Sequence, residues 1–148
     1  MNQSPLNIIL TDDDIDDRLF FEEAIEDIDI ATKLTTFNHG QELMNYLQSN
    51  DTALPHLIFL DLNMPIKNGM ECLQDIRNNP KLQHTIVAIY STSSSESDIE
   101  KTFVNGANIY INKPNSFNDL KKAIKKVLQI NWQYHTSNLK KENFLLRI

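Results

Sequence analysis

One cysteine, one tryptophan and three glycines are all that this 148-residue chain has of those residues. A lone Cys72 can form no intrachain disulfide, which excludes a disulfide-stapled scaffold and agrees with a reducing compartment. Basic residues are outnumbered, 14 against 20 acidic, for a formal charge of −6. That balance argues against a nucleic-acid surface or an anionic membrane face, both of which need clustered Lys and Arg. No run approaches the roughly 18 apolar residues of a spanning helix. Met1-Asn2-Gln3-Ser4-Pro5 lacks the basic and apolar regions of a signal peptide, so a cytoplasmic location is expected. A Gly-rich phosphate loop of the P-loop type is missing, and His39, His56, His84 and His135 show no metal-ligand spacing. Internal repeats and low-complexity stretches are absent too. What remains, 41% hydrophobic residues at this length, is enough for one compact domain with a real core and too short for a second full domain.

The apolar residues fall into short runs, each ended by a polar group. Leu6 to Thr11 contains Ile8-Ile9-Leu10 and stops at Asp12-Asp13-Asp14, with Asp16 and Asp17 close behind. Asp14 or Asp16 can cap a helix in which Phe21, Ala24, Ile25 and Ile28 recur at helical spacing. Lys33 to Phe37 is β-favourable, and after Asn38-His39-Gly40 a helical pattern carries Leu43, Met44 and Leu47. Leu57-Ile58-Phe59-Leu60, bounded by Pro55 and by the turn-rich Leu62 to Gly69, reads as a strand buried on both faces that ends at Asp61. Met70, Leu73 and Ile76 mark a third helix, ended at Asn78-Asn79-Pro80. Ile86 to Tyr90 forms a fourth strand running into Ser91-Thr92-Ser93. Ile99 and Phe103 give a weaker helix stopped at Asn105-Gly106. Asn108 to Asn112 is a last strand ending at Lys113-Pro114, and from Ser116 the pattern Leu120, Ala123, Ile124, Val127, Leu128 is the clearest amphipathic helix. Five strands alternating with five helices predict an α/β fold with a parallel sheet covered on both faces.

In such sheets, ligands bind beyond the carboxyl ends of the strands, where strand order reverses. If the order is 2-1-3-4-5, Asp12 and Asp13 at the end of the first strand lie beside Asp61 at the end of the third. Carboxylates so close repel one another and need a cation; a hard divalent ion, best Mg²⁺, suits them. Asp61 could then attack a phosphoryl group, with Lys113 and a hydroxyl from Ser91 or Thr92 neutralising and hydrogen-bonding its oxygens. Taken singly, an aspartate after a strand is commonly a helix cap and a lysine before proline commonly exposed. Their occurrence in order, at the ends of successive strands, is what argues for chemistry.

Ile8 to Asp14, Leu60 to Gly69, Tyr90-Ser91-Thr92-Ser93 and Gly106 to Pro114 together resemble the receiver domains of two-component response regulators, over roughly residues 6 to 128. The chain looks closest to the stand-alone, chemotaxis-regulator-like receivers that serve histidine kinases, including phytochrome-type kinases. The resemblance implies a flavodoxin-like doubly wound (βα)5 fold with sheet order 2-1-3-4-5. It implies Asp61 as phosphoacceptor, Asp12 and Asp13 as the pair organising Mg²⁺ with Asp13 the direct ligand, and Asn63 offering its backbone carbonyl to the metal. By the same resemblance Ser91 and Lys113 contact the phosphoryl group, Tyr110 is an aromatic switch that turns inward with Ser91, and Lys113–Pro114 is a cis peptide. Ser93 and Asn63 would face the attacking water.

The expected activity is therefore acceptance of a phosphoryl group from a histidine kinase or histidine phosphotransfer protein, with output through a downstream protein contact and no nucleic acid or membrane partner. An enzyme of general turnover is not expected. A Mg²⁺-dependent phosphohydrolase is disfavoured because Asn63, not an acid, stands two residues after Asp61; a degenerate binding module is disfavoured because all five phosphorylation positions carry competent residues. Residues 1–130 are expected to form the receiver and 131–148 an extension. With Trp132, Tyr134, Phe144, Leu145, Leu146 and Ile148, that extension is apolar enough to dock on its own domain or on a second subunit of a homodimer.

Overall fold

The computed structural model describes residues 5–49, 53–130 and 144–146. Its elements run β1 (Leu6–Thr11), α1 (Ile15–Glu26), β2 (Thr32–Phe37), α2 (Gly40–Gln48), β3 (Leu57–Leu60), α3 (Gly69–Arg77), a single 3₁₀ turn (Pro80–Leu82), β4 (Ile86–Ser91), α4 (Glu96–Val104), β5 (Ile109–Asn112) and α5 (Phe117–Gln129). The strands form one sheet of order β2-β1-β3-β4-β5, and every pair is parallel. Strand order reverses between β1 and β3, so the expected doubly wound topology is the observed one.

Alternating strand residues feed two cores. On one face Ile8, Leu10, Phe59, Ala88 and Ile111 meet Phe21, Ala24 and Ile25 of α1 and Leu120, Ala123, Ile124 and Val127 of α5. Phe21 sits edge-on to both Phe59 and Tyr90, with centroids 4.9 and 5.6 Å away. On the other face Ile9, Ile58, Leu60, Val87 and Ile89 meet Leu43, Met44 and Leu47 of α2 and Cys72, Leu73 and Ile76 of α3. Helix α4 contributes little: Thr102 is its one buried residue, which is why its sequence pattern is weak.

The helix caps fall on residues other than the suspected chemical ones. Asp14 caps α1, accepting the N–H groups of Asp16 and Asp17, and Asn68 caps α3 in a reciprocal box with Glu71. The His39 ring nitrogen caps α2, a role its sequence position does not advertise. Asn79 accepts from Lys81 N–H and opens the 3₁₀ turn at Pro80, a short element the sequence pattern does not predict.

The extension from 131 to 148 lies mostly outside the described residues. Of it, Phe144 is fully buried, its ring 5.2 Å from that of Phe103 and 6.2 Å from that of Tyr110. Leu145 forms a parallel bridge with Tyr110, and Leu146 N–H donates to the Tyr110 carbonyl at 2.9 Å.

Gly69 fixes the frame behind Asp61. Its N–H donates to the Leu62 carbonyl at 3.0 Å, and a Cβ added there would collide with the Asp61 carbonyl oxygen and crowd the Leu62 Cα. Because backbone rather than a flexible side chain is in the way, Gly69→Ala is expected to destabilise the protein by about 1–3 kcal/mol. Urea denaturation tests this, and an unshifted midpoint would show that the loop yields without cost.

Candidate functional site

The carboxyl end of each of β1, β3 and β5 is tied to a neighbouring strand by a backbone hydrogen bond before any side chain acts. Asp61 N–H donates to the Thr11 carbonyl at 3.0 Å, Asp12 N–H to the Phe37 carbonyl at 3.1 Å, and Lys113 N–H to the Ser91 carbonyl at 2.8 Å. This clamps Asp12 and Asp61 side by side over the reversal point. Asp12 is fully buried and Asp61 is 5% exposed, while Asp13 is open to solvent. One carboxylate oxygen from each of the three lies within 4.8 Å of the others.

Lys113 fills the cation position. Its side chain is nearly buried, and Nζ lies 2.7 Å from Asp12 Oδ2, 2.8 Å from Asp17 Oδ2 and 3.8 Å from Asp61 Oδ1. The same ammonium stands 5.3 Å from the centroid of the Tyr90 ring. Burial alone would depress the Lys113 pKa, but the hydrogen bonds and charges of Asp12, Asp17 and Asp61 outweigh it and the net shift is upward. Burial likewise raises Asp12 against the opposing Lys113 contact. Burial pushes Asp61 from 3.8 up to about 7; Lys113 opposes the shift, the charges of Asp12 and Asp13 add to it, and the Asn63 N–H opposes it. One cation therefore does not neutralise this pocket. Asp12 Oδ2 is buried without a well-aligned hydrogen bond, so it retains capacity for a further cation. An all-oxygen donor set with residual negative charge fits a hard divalent metal.

The other expected residues group around this centre. Ser91 ends β4, is fully buried, and its Oγ accepts the Ser93 N–H at 3.1 Å. Tyr110 is fully buried and already turned inward: its hydroxyl donates to the Ser93 carbonyl at 2.8 Å, and Ser93 N–H in turn donates to the Ser91 Oγ. Asn63 is exposed in the loop after Asp61. Ser93 donates its hydroxyl to Asp98 Oδ2 at 2.6 Å, so its side chain is engaged in the start of α4. One expectation is corrected: Lys113–Pro114 is trans. The trans form of an X–Pro bond is the lower in energy, by about 0.5–1 kcal/mol, and the Lys113 ammonium reaches Asp12 and Asp17 from it.

Two participants escaped sequence reading. Asp17 looked like one more aspartate of a cluster of five, yet with Asp14 as N-cap it falls in the first turn of α1, over the strand ends. Ile66 is the other. Lys67 N–H donates to the Pro65 carbonyl at 2.7 Å in a γ-turn, which holds Ile66 at φ 69° with its side chain 76% exposed. A β-branched residue in that region carries strain of about 1–3 kcal/mol.

A doubly wound parallel sheet with a carboxylate cluster at its reversal point and a buried lysine facing it defines the class. Residues 8–125 match the response regulator receiver domain, and the chain belongs to that family. It is similar to the response regulator Rcp1 of Synechocystis, 32% identical over 81% of this chain and 84% of that protein. It is also similar to a probable methanogenesis regulatory protein, FilR2, of Methanothrix harundinacea, 27% identical over 84% of this chain and 83% of that one. Among solved structures, the phosphorylated cyanobacterial phytochrome response regulator RcpA superposes with a TM-score of 0.78 at 31% identity, covering 84% of this chain and 91% of that one. A Mn²⁺-bound form of Rcp1 superposes at 0.77 and 30% identity, covering 86% and 94%.

The sign of the Asp61 shift sets a pH dependence. A folded-state pKa above the unfolded value means that the native protein holds this proton more tightly. The associated stabilisation is complete below about pH 4 and lost as pH rises through about 7. In metal-free buffer, the stability advantage of Asp61→Asn over the wild type is therefore expected to grow, by on the order of 2 kcal/mol, between about pH 5 and pH 8. Urea titrations at the two pH values read it, and an advantage that does not change with pH would contradict it.

Proposed function

We propose that this receiver domain takes a phosphoryl group onto Asp61 from the phosphohistidine of a histidine kinase or histidine phosphotransfer protein, and signals through a protein contact. The observation that carries the reading is the joint placement of Asp12, Asp13 and Asp61 with Lys113 as the buried cation beside them. An Asp61 carboxylate oxygen attacks phosphorus, the P–N bond to the donor imidazole breaks, and the imidazole leaves and takes up a proton. A divalent ion, Mg²⁺, held by Asp12, Asp13, Asp61 and the Asn63 carbonyl, would neutralise charge on the transferred group. Lys113 supplies the second positive charge and Ser91 a hydroxyl hydrogen bond. Tyr110, already inward and bonded to the Ser93 carbonyl, would couple a shift of Ser91 to the loop entering α4, a change of population between two states rather than a new fold.

The surroundings suit a protein donor. Ile15 and Leu19 on α1 and Ile66 after β3 are exposed by 60, 50 and 76%, and they lie on the elements that leave the pocket. An apolar rim of this kind fits a partner surface better than a small phosphate ester. The test is acetyl phosphate with Mg²⁺, followed by intact-mass measurement of wild type and Asp61→Asn. A phosphoryl adduct on the wild type alone is expected. Rapid turnover of general phosphate esters would favour a phosphohydrolase, and no adduct on either protein would favour a binding module.

The extension is part of the same proposal. The contacts of Phe144 and Leu146 with Tyr110 support docking of the C-terminal segment on its own domain. Removing residues 144–148 uncovers the Phe103 and Tyr110 rings and is expected to lower stability by about 1–3 kcal/mol. Unchanged thermal and urea midpoints would end the docking reading.

A further inference from the structure

We infer that Asp17 is a positioning residue for Lys113: it holds the ammonium on the α1 side of the pocket and gives it up when a phosphoryl oxygen arrives. The inference rests on the reading of Asp61 as phosphoacceptor. Nζ is 2.7 Å from Asp12 and 2.8 Å from Asp17 but 3.8 Å from Asp61. One of its three N–H donors is thus directed at Asp17 and the ammonium is in close ion-pair contact with Asp12, both of them carboxylates other than the acceptor. An anionic group on Asp61 competes for the same ammonium, and one of the present partners must yield part of its share.

The two partners differ in what release costs. Asp12 is fully buried, so losing the lysine would remove positive charge from a carboxylate that water cannot reach. The Asp17 side chain is 37% exposed and sits in the first turn of α1, where water and the helix N-terminus take over its stabilisation. Asp17 is therefore the partner that exchanges. Its contact keeps the lysine ordered and close at hand in the unphosphorylated protein, and it is a competitor that the phosphoryl group must displace. Asp16, its neighbour in the same turn, makes no ion pair with Lys113 among those described, so net charge and pairing can be separated by experiment.

The experiment uses the full chain with saturating Mg²⁺ and beryllofluoride, a stand-in for the phosphoryl group, and measures affinity by calorimetry. Asp17→Asn is expected to bind beryllofluoride roughly two- to fivefold more tightly than the wild type, the scale of one partly exposed ion pair. Asp16→Asn, with the same change of charge, should stay near the wild-type value, and Asp17→Glu should restore it. Combining Asp17→Asn with Lys113→Ala should remove the gain, since the effect runs through the lysine. If Asp17→Asn and Asp16→Asn shift the affinity equally, or the gain survives without Lys113, Asp17 acts only as a charge and the inference is wrong. If the wild type binds no beryllofluoride and takes no phosphoryl group from acetyl phosphate, the phosphoacceptor reading fails first and the inference falls with it.

Discussion

A single buried ammonium makes the pocket tenable. Asp12 and Asp61 sit together under the reversal point of the sheet with almost no solvent around them. Two such carboxylates cannot both stay ionised without positive charge nearby. Lys113 supplies part of that charge and is itself kept charged by them, each side offsetting the desolvation of the other. The balance is incomplete: one cation among Asp12, Asp17 and Asp61 leaves Asp61 titrating at about 7. A pocket left short of positive charge is suited to a metal ion and, on the proposed reading, with the metal to a transferred anion. The same deficit that costs folding stability would, on that reading, give the site its affinity.

The scaffold serves this pair before it serves itself. Backbone bonds from Asp61 to Thr11 and from Lys113 to Ser91 fix where the central carboxylate and its cation start. Structural duties that aspartates often perform are delegated elsewhere, to Asp14 and Asn68 at the caps of α1 and α3. Behind Asp61 the chain must turn sharply against its own backbone, which leaves room for no Cβ at Gly69 and puts Ile66 in a strained conformation. Strain on an exposed apolar residue beside the carboxylate pocket persists because the surrounding bonds over-determine it.

Much of this was legible in the chain. The runs ending in Asp12, Asp61, Ser91 and Lys113 gave both the strands and the residues at their ends, because a strand buried on both faces is uniformly apolar and any charge at its end stands out. Phe21, Leu43, Leu73 and Leu120 were likewise visible through helical spacing. What stayed hidden depends on tertiary position. Asp17 shares its type with four neighbours, and nothing local says which of them meets a lysine 96 residues away. The guanidinium of Arg77, which joins the carbonyls of Leu82, Thr85 and Gly106 and the Asn108 side chain, has no sequence signature either. Helix α4 reads weakly because it buries so little.

That weak helix is where, on the proposed reading, a signal written on Asp61 would have most freedom to act. The loop entering α4 is held by three groups: Tyr110 donates its hydroxyl to the Ser93 carbonyl, Asn112 its amide to the carbonyls of the same loop, and Ser93 its hydroxyl to Asp98. None of these touches the pocket carboxylates, yet Ser93, whose carbonyl takes the Tyr110 hydroxyl, gives its N–H to the Oγ of Ser91, which on the proposed reading meets the phosphoryl group. On its outer side Tyr110 meets Phe144 and, through its carbonyl, Leu146. One ring thus links pocket, loop and C-terminal segment. Any state that draws Ser91 toward Asp61 must keep or break contacts on both sides of that ring together. Packed cores move between discrete arrangements and do not deform smoothly, so a hydroxyl shift at the pocket can be read at the α4 surface.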